Sequence, residues 1–480
     1  MGVNGGFYFF CVIILFSDLY KNMIFQNNKK ILSSSEMMAR GGIGKRRENR
    51  NYLSFDKPDI KLSDEGKKLL KLLEKGGNVF LTGRAGTGKT TFLKYFRATA
   101  KKNVVVLAPT GVAAVNIQGQ TIHSFFKFRP GVTEKDVKKA YKNREIYENI
   151  DILIIDEISM VRADLFDCIE KFLRINGPNP GSPFGGIQII VVGDLYQLPP
   201  IVQGGEDMIF KIVYKSPYFF DANCFKLGKF SMIELQQVYR QSDLEFIELL
   251  DSIRMYRLND SHLLKINQRV LNSDNYDNLG VILVTNNYAA ERINYEKLTS
   301  LSGSEKKYKG FVDGEFKSND LPTLQDLFLK EGAQVMLLNN DPKGRWINGD
   351  IVKVIKMEDD YIRVMFDDGS FDDVSKYKWE KVKFALEGEG KIKSEIVGNF
   401  VQFPMKLSWA ITIHKGQGKT YEKVIIDFGG GTFAPGQAYV ALSRCRSLAG
   451  LHLKRPLEYA HIIIDERVEV FMQEYPKLEL

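Results

Sequence analysis

The stretch NVFLTGRAGTGKTT, Asn78 to Thr91, decides the fold. Asn78 to Leu81 reads as a short apolar strand, Gly83 to Thr90 fits the pattern G-x-x-x-x-G-K-[ST], and TTFLKYF from Thr90 opens a helix. A triphosphate cradle needs that order. Glycines at 86 and 88 let backbone N–H groups approach phosphate oxygens, and the helix N-terminus adds its dipole. On this reading Gly83, Ala85, Gly86, Thr87, Gly88, Lys89, Thr90 and Thr91 contact a bound nucleotide. Lys89 reaches the β and γ phosphates and Thr90 holds a metal ion, so the expected cofactors are ATP and Mg²⁺. The bare pattern also occurs in ordinary turns; the strand before it and the helix after it make the difference here.

Working outward, a helix-like stretch DEGKKLLKLLEKG precedes the loop, and VVVLAPT, DILIIDE and IQIIVVGD follow it. Short continuous apolar runs alternating with helical segments predict a parallel sheet covered on both faces. DILIIDE ends in Asp156 and Glu157, the placement needed for a metal-side carboxylate and a base that orients attacking water. GDLYQLPP follows another apolar run and puts Gln197 beside the γ-phosphate as a sensor. After Arg240 a helical stretch, LEFIELLDSIR, leads to GVILVTN, AQVMLLN, KVIIDF and GLHL, which read as the strands of a second α/β lobe. Between Asn340 and Phe403 the texture is all-β, as of a small inserted barrel.

Composition bounds the class without choosing within it. The chain has 480 residues, 44% hydrophobic and 26% charged, which is ordinary for two or three compact domains. Its net charge of +8 suits a polyanionic partner but does not identify one. Cys11, Cys168, Cys224 and Cys445 form no CxxC pair or Cys/His cluster, so no zinc site or disulfide framework is indicated and reduced thiols in a cytoplasmic or nucleoid setting are expected. The apolar run FYFFCVIILF, Phe7 to Phe16, is too short to span a bilayer as a helix, and the MGVNGG before it lacks a basic n-region. Residues 1–58 read as a flexible extension, with Met37 or Met38 as an alternative start and a membrane-associated helix as the rival reading of the apolar run. No internal repeat is evident.

Taken in order, the segments resemble the PIF family of DNA helicases, the RecD-like 5′-to-3′ branch of helicase superfamily 1, from about Leu62 to Leu453. APTGVAAVNIQGQTIHSFF is similar to the family's motif Ia, GDLYQLPP to motif III, LQQVYRQ to motif IV, WAITIHKGQGKT to motif V and AYVALSRCRS to motif VI. The resemblance implies two RecA-like parallel-sheet P-loop NTPase lobes, at 59–240 and 241–480. It also implies a small wedge insert at 126–149 and a β-barrel of Src-homology-3 type at 340–403. It makes Arg240 and Arg444 the arginines that reach the γ-phosphate from the far side of the cleft, adds Gly418 to the nucleotide contacts, and places Thr110, Thr121, His123, Thr412, His414 and Lys415 on the single strand. Phe125, Phe126 and Tyr196 are either stacking faces for bases or core.

The function implied is an ATP-dependent 5′-to-3′ DNA helicase acting in replication, repair or genome maintenance. Its partners would be single-stranded and tailed duplex DNA and other replication or repair proteins; it would be monomeric, with no integral membrane part. A DNA-stimulated translocase that does not separate strands, an RNA helicase, and a P-loop switch without motor activity are the rivals. Two departures stand out. LSDEG has Gly66 where family members often carry a glutamine that reads adenine, and HKGQGKT has Gly416 at a position usually small and polar or alanine.

Overall fold

The computed structural model describes residues 62–479 apart from 130, 142, 203–209, 211, 242, 273–279, 317–320 and 388–390. The expected N-terminal extension, its apolar run and Cys11 lie outside the described residues. The apolar runs of the first half become β1 (Val79–Gly83), β2 (Val104–Ala108), β3 (Gln120–Thr121), β4 (Ile152–Ile155), β5 (Gln188–Val192) and β6 (Ser231–Leu235). They pair in parallel in the order β3-β2-β4-β5-β1-β6. Strand alternation splits each run between two cores. Ile152 and Ile154 join Leu69, Leu73, Phe92 and Phe96 on one face, while Leu153 and Ile155 join Phe166 and Ile169 on the other. Cover on both faces is why these strands read as continuously apolar. Helix Asp64–Glu74, which supplies Leu69 and Leu73, starts where Ser63 Oγ accepts from Gly66 N at 3.1 Å.

The second half holds β7 (Val281–Val284), β8 (Lys306–Lys309), β9 (Phe311–Gly314), β10 (Asp326–Leu329), β11 (Gln334–Leu337), β12 (Ile351–Met357) and β13 (Tyr361–Met365). It continues with β14 (Phe371–Ser375), β15 (Tyr377–Glu387), β16 (Lys391–Gln402), β17 (Met405–Leu407), β18 (Ala410–Thr412), β19 (Val424–Asp427) and β20 (Leu451–Leu453). A second parallel sheet has the order β18-β7-β19-β20. The remaining strands form antiparallel sheets, β14-β13-β12-β11-β17, β15-β16-β9 and β10-β8.

Contrary to the expectation from sequence, AQVMLLN does not join the second parallel sheet; as β11 it pairs antiparallel with β12 and β17. The misreading has a physical cause. All four residues of β11 are buried, whereas β12 alternates, and a fully buried strand shows no pattern that tells the two kinds of sheet apart. Val335 and Leu337 fill the core of the insert with Trp346, and Met336 points to the main core. The antiparallel part therefore extends from β8 to β17, beyond the expected 340–403 on both sides.

Two contacts tie distant parts of the chain together. In the expected wedge segment, Tyr147 Oη donates to Phe125 O at 2.9 Å, and the Phe125 ring meets Phe384 of β15 edge-on at 5.8 Å. Phe125, Phe126 and Tyr196 are all buried, which makes them core and not faces for bases. The last helix, Glu466–Glu474, packs on the first lobe: Phe471 stacks on Phe220 at 4.2 Å, Tyr475 Oη donates to Phe230 O at 2.6 Å, and Leu478 N donates to Met232 O at 2.7 Å. The end of the chain thus straps the second lobe to β6.

Phe471 is only partly buried, so Phe471→Ala falls at or below the lower end of the cost of truncating a core phenylalanine, about 2–3 kcal/mol. Differential scanning calorimetry should show the first unfolding transition lowered by several degrees; an unchanged transition would mean that the strap carries no stability.

Candidate functional site

The phosphate loop is shaped by its neighbours as well as by any ligand. Gly86 has φ +85°, and a Cβ there would lie 2.4 Å from Arg240 Cβ, so only glycine fits. Tyr239 N donates to Gly86 O at 2.8 Å and fixes this approach. Arg240 therefore enters from the segment after β6 and rests on the loop itself, not from the far side of the cleft as expected. Lys89, first residue of helix Lys89–Thr99, donates to Gly83 O at 2.6 Å and to Arg84 O at 2.8 Å. Burial lowers its pKa, opposed by the charges of Asp194 and Glu157. Arg84 makes an ion pair with Asp251 on the outer side.

Thr90 Oγ1 lies 3.5 Å from Asp156 Oδ2, at the end of β4. Burial, then the charge of Glu157, pushes Asp156 up to about 7. Glu157 sits in the left-handed region at φ +53°, which turns its side chain toward the other lobe, and burial raises its pKa too. Gln417 Nε2 bridges the lobes, donating to Glu157 Oε2 at 3.2 Å and Gln197 Oε1 at 3.3 Å. Gln197 Nε2 in turn donates to Asp194 Oδ2 at 3.2 Å, and the Arg254 guanidinium lies 3.4 Å from Asp194 Oδ1 while covering the Tyr196 ring.

Arg444 is 1% exposed. It donates to Val440 O at 2.8 Å, Ser443 Oγ at 2.9 Å and Lys419 O at 3.3 Å, all on its own lobe. Among the described residues neither Arg444 nor Arg240 forms a salt bridge, and Arg240 Nη1 is buried without a hydrogen-bond partner. Burial lowers the pKa of both. The charge of Glu157 acts on both without a bond to either, and desolvated guanidinium groups that lack a paired carboxylate are costly unless an anion joins them. The site is thus built for a highly charged anion at the lobe boundary.

Closure of the boundary depends on small contacts. Tyr439 Oη accepts from Ala85 N at 3.0 Å, and Gln241 Nε2 donates to Ser443 O at 3.2 Å and Cys445 O at 3.1 Å. Gly436, φ +71°, presses on the other lobe so closely that a Cβ would lie 2.3 Å from Tyr196 O and 2.6 Å from Gln197 O.

The expected strand-contact residues fall in matching places in the two lobes. Thr110, exposed, caps helix Gly111–Asn116 after β2. Thr121 and Thr412 end β3 and β18, and each hydroxyl accepts at 3.3 Å from the N–H three residues on. Thr-Ile-His occurs in both, a correspondence too short for a repeat search to see. Thr412 is buried, His123 and His414 are half-buried with burial lowering their pKa, and Lys415 is exposed. Gly418, exposed at φ +78°, lies one residue beyond the bridging Gln417.

A sequence model of the PIF1-like helicase family matches residues 61–298. Over 432 residues the chain is 34% identical to the ATP-dependent DNA helicase Pif1 of Bdellovibrio bacteriovorus, covering 88% of this chain and 93% of that protein. The chain belongs to the PIF1-like helicase family. Its structure matches Bacteroides sp. Pif1 in complex with ADP-AlF4 with a TM-score of 0.81 and 37% identity, over 88% of this chain and 100% of that one. Against Bacteroides Pif1 bound to ssDNA the TM-score is 0.64 at 37% identity, over 87% and 97%. The two parallel sheets are the family's RecA-like lobes.

Sequence reading singled out Lys89, Asp156, Glu157, Gln197 and Arg444, and the fold brings all five to the lobe boundary. It passed over Gln417, Tyr439, Gln241 and Gly436. The first three lie inside the motifs quoted above, where an uncharged side chain gives no hint that it bridges; Gly436 lies just outside. Gly436→Ala should leave the chain folded, as judged by circular dichroism, but hold the lobes apart and lower ATP turnover at least tenfold. Turnover equal to wild type would show that the contact is not needed.

Proposed function

We propose that this chain hydrolyses ATP to move 5′ to 3′ along single-stranded DNA and to separate duplexes, as an ATP-dependent DNA helicase. The observation that carries this reading is the buried Arg444 and the partnerless Nη1 of Arg240, neither in a salt bridge among the described residues and both acted on by the charge of Glu157, at a boundary that two lobes must close together. In this mechanism Lys89, Arg240 and Arg444 neutralise charge on the transferring phosphoryl group. Glu157, half-buried and held by Gln417, takes the proton of the attacking water while Gln197 positions it. Thr90 and Asp156 offer oxygen donors that suit Mg²⁺, bound through one carboxylate and the nucleotide's own phosphates. That ion would shield phosphate charge. Gly83, Ala85, Gly86, Thr87, Gly88 and Thr91 line the phosphates, and Gly418 the opposite rim. Gly66 leaves the base without the family's usual amide partner, so other nucleoside triphosphates should also serve.

The single strand lies across both lobes on Thr110, Thr121, His123, Thr412, His414 and Lys415, groups that bind phosphate without reading sequence. The segment 126–149 serves as the wedge, with the antiparallel insert behind it. The motor works as a monomer in the cytoplasm, beside other replication or repair proteins; among the described residues no helix is long and apolar enough to cross a membrane.

The test is a fluorescence strand-separation assay on matched 5′-tailed, 3′-tailed and blunt duplexes. Only the 5′-tailed substrate should open. Lys89→Ala should abolish opening, and Arg444→Ala should slow hydrolysis by about three orders of magnitude or more while nucleotide still binds. Because Arg444 also holds Lys419 O and Val440 O, a melting curve must accompany that variant. Preference for the 3′ tail would overturn the polarity. DNA-stimulated hydrolysis with no strand separation would make the chain a translocase.

A further inference from the structure

The loop Gly429–Gly436, between β19 and helix Gln437–Leu442, carries the exposed aromatic residue Phe433, 65% accessible. Its exposure is not a consequence of a loose loop. Gly431 N donates to Phe428 O at 2.9 Å, Thr432 Oγ1 to His461 O at 2.8 Å, Phe433 N to Gln437 Oε1 at 3.0 Å and Gly436 N to Ile463 O at 2.9 Å. Four bonds thus pin a segment whose apolar ring is left in water. The ring lies within 16° of parallel to the His414 imidazole, with centroids 6.3 Å apart. Among the described residues His123, the matching histidine of the first lobe, carries no such ring.

We infer that Phe433 is a base-stacking residue: with the parallel His414 ring it forms an aromatic face on the second lobe that holds a base of the bound single strand. This rests on the proposed reading of the chain as a DNA helicase. The supporting argument is geometric and chemical. A flat apolar ring held in solvent against His414, with the exposed Lys415 next in the chain, offers what a nucleotide needs, a face for the base and a cation for the phosphate. Stacking tolerates any base, as a motor requires, because every base has a π-face. Burial lowers the pKa of His414, which favours the uncharged imidazole as a stacking partner. Among the described residues His123 has no such partner, so this aromatic face sets the second lobe apart. Unequal grip by the two lobes is a condition for net stepping. Gly436, three residues along the same loop, touches Tyr196 and Gln197 in the other lobe, so the base platform and the γ-phosphate sensor share one short segment.

The experiment compares the wild-type chain with Phe433→Ala and Phe433→Trp. Fluorescence anisotropy at fixed ionic strength measures the affinity of each for oligo(dT) and for an abasic sugar-phosphate strand of equal length. Phe433→Ala should weaken oligo(dT) binding by about 5- to 150-fold. It should bind the abasic strand as wild type does, and Phe433→Trp should restore oligo(dT) affinity. Equal loss on both strands would overturn the inference, since the ring would then act through the backbone path or the loop's shape. No loss on either strand would overturn it as well. Failure of the wild-type chain to bind oligo(dT) would instead overturn the helicase reading beneath it, an outcome distinct from the other two.

Discussion

The Arg444 guanidinium is almost completely buried, makes three hydrogen bonds to its own lobe, and forms no salt bridge among the described residues, the charge of Glu157 acting on it without a bond. A buried unpaired charge costs several kcal/mol even after relaxation, and here it is joined by Arg240, whose Nη1 has no partner. The fold tolerates this only because apolar burial on a far greater scale holds each lobe together, in the two-sided parallel sheets and in the strap of Glu466–Glu474 on β6. The charge gap then sets what the boundary is for. On the proposed reading a triphosphate supplies further negative charge here and hydrolysis with phosphate release removes part of it, so the stability of the closed arrangement would change with the chemical state of the nucleotide.

Coupling from that site to the track is short. Gln417 touches Glu157 and Gln197 with one amide, and it follows directly on the four-residue helix Ile413–Gly416 that bears His414 and Lys415. Gly436 presses on the backbone of Tyr196 and Gln197, and the same loop holds Phe433 beside His414. On the proposed reading, two connections of only a few residues therefore lead from the γ-phosphate side to the strand-facing side.

The sequence made the first lobe plain because its strands are continuous apolar runs that end in chemically distinctive residues: Gly83 at the end of β1, Asp156 after β4, Asp194 after β5. The second lobe was less legible. Val281–Val284 and Gln334–Leu337 are equally buried, yet one is parallel and the other antiparallel, and nothing local separates them. The strap was hidden for another reason: its contacts, Phe471 on Phe220 and Leu478 on Met232, join residues about 250 positions apart. Family resemblance supplied Arg240 and Arg444 as a pair, but only the fold shows that Arg240 rests on Gly86. Charged site residues announced themselves; the glutamines and the glycine that join the lobes did not, because their role lies in what they touch.

Of the two connections to the γ-phosphate side, the Gln417 amide is the one that bonds Glu157 and Gln197 directly, and on the proposed reading it carries the state of the strand to them. Steady-state ATP hydrolysis with and without saturating single-stranded DNA, for wild type and Gln417→Ala, tests it most directly. The account predicts strong stimulation of the wild type and a stimulation reduced at least tenfold in the variant while it still binds the strand. Stimulation undiminished in Gln417→Ala would contradict it.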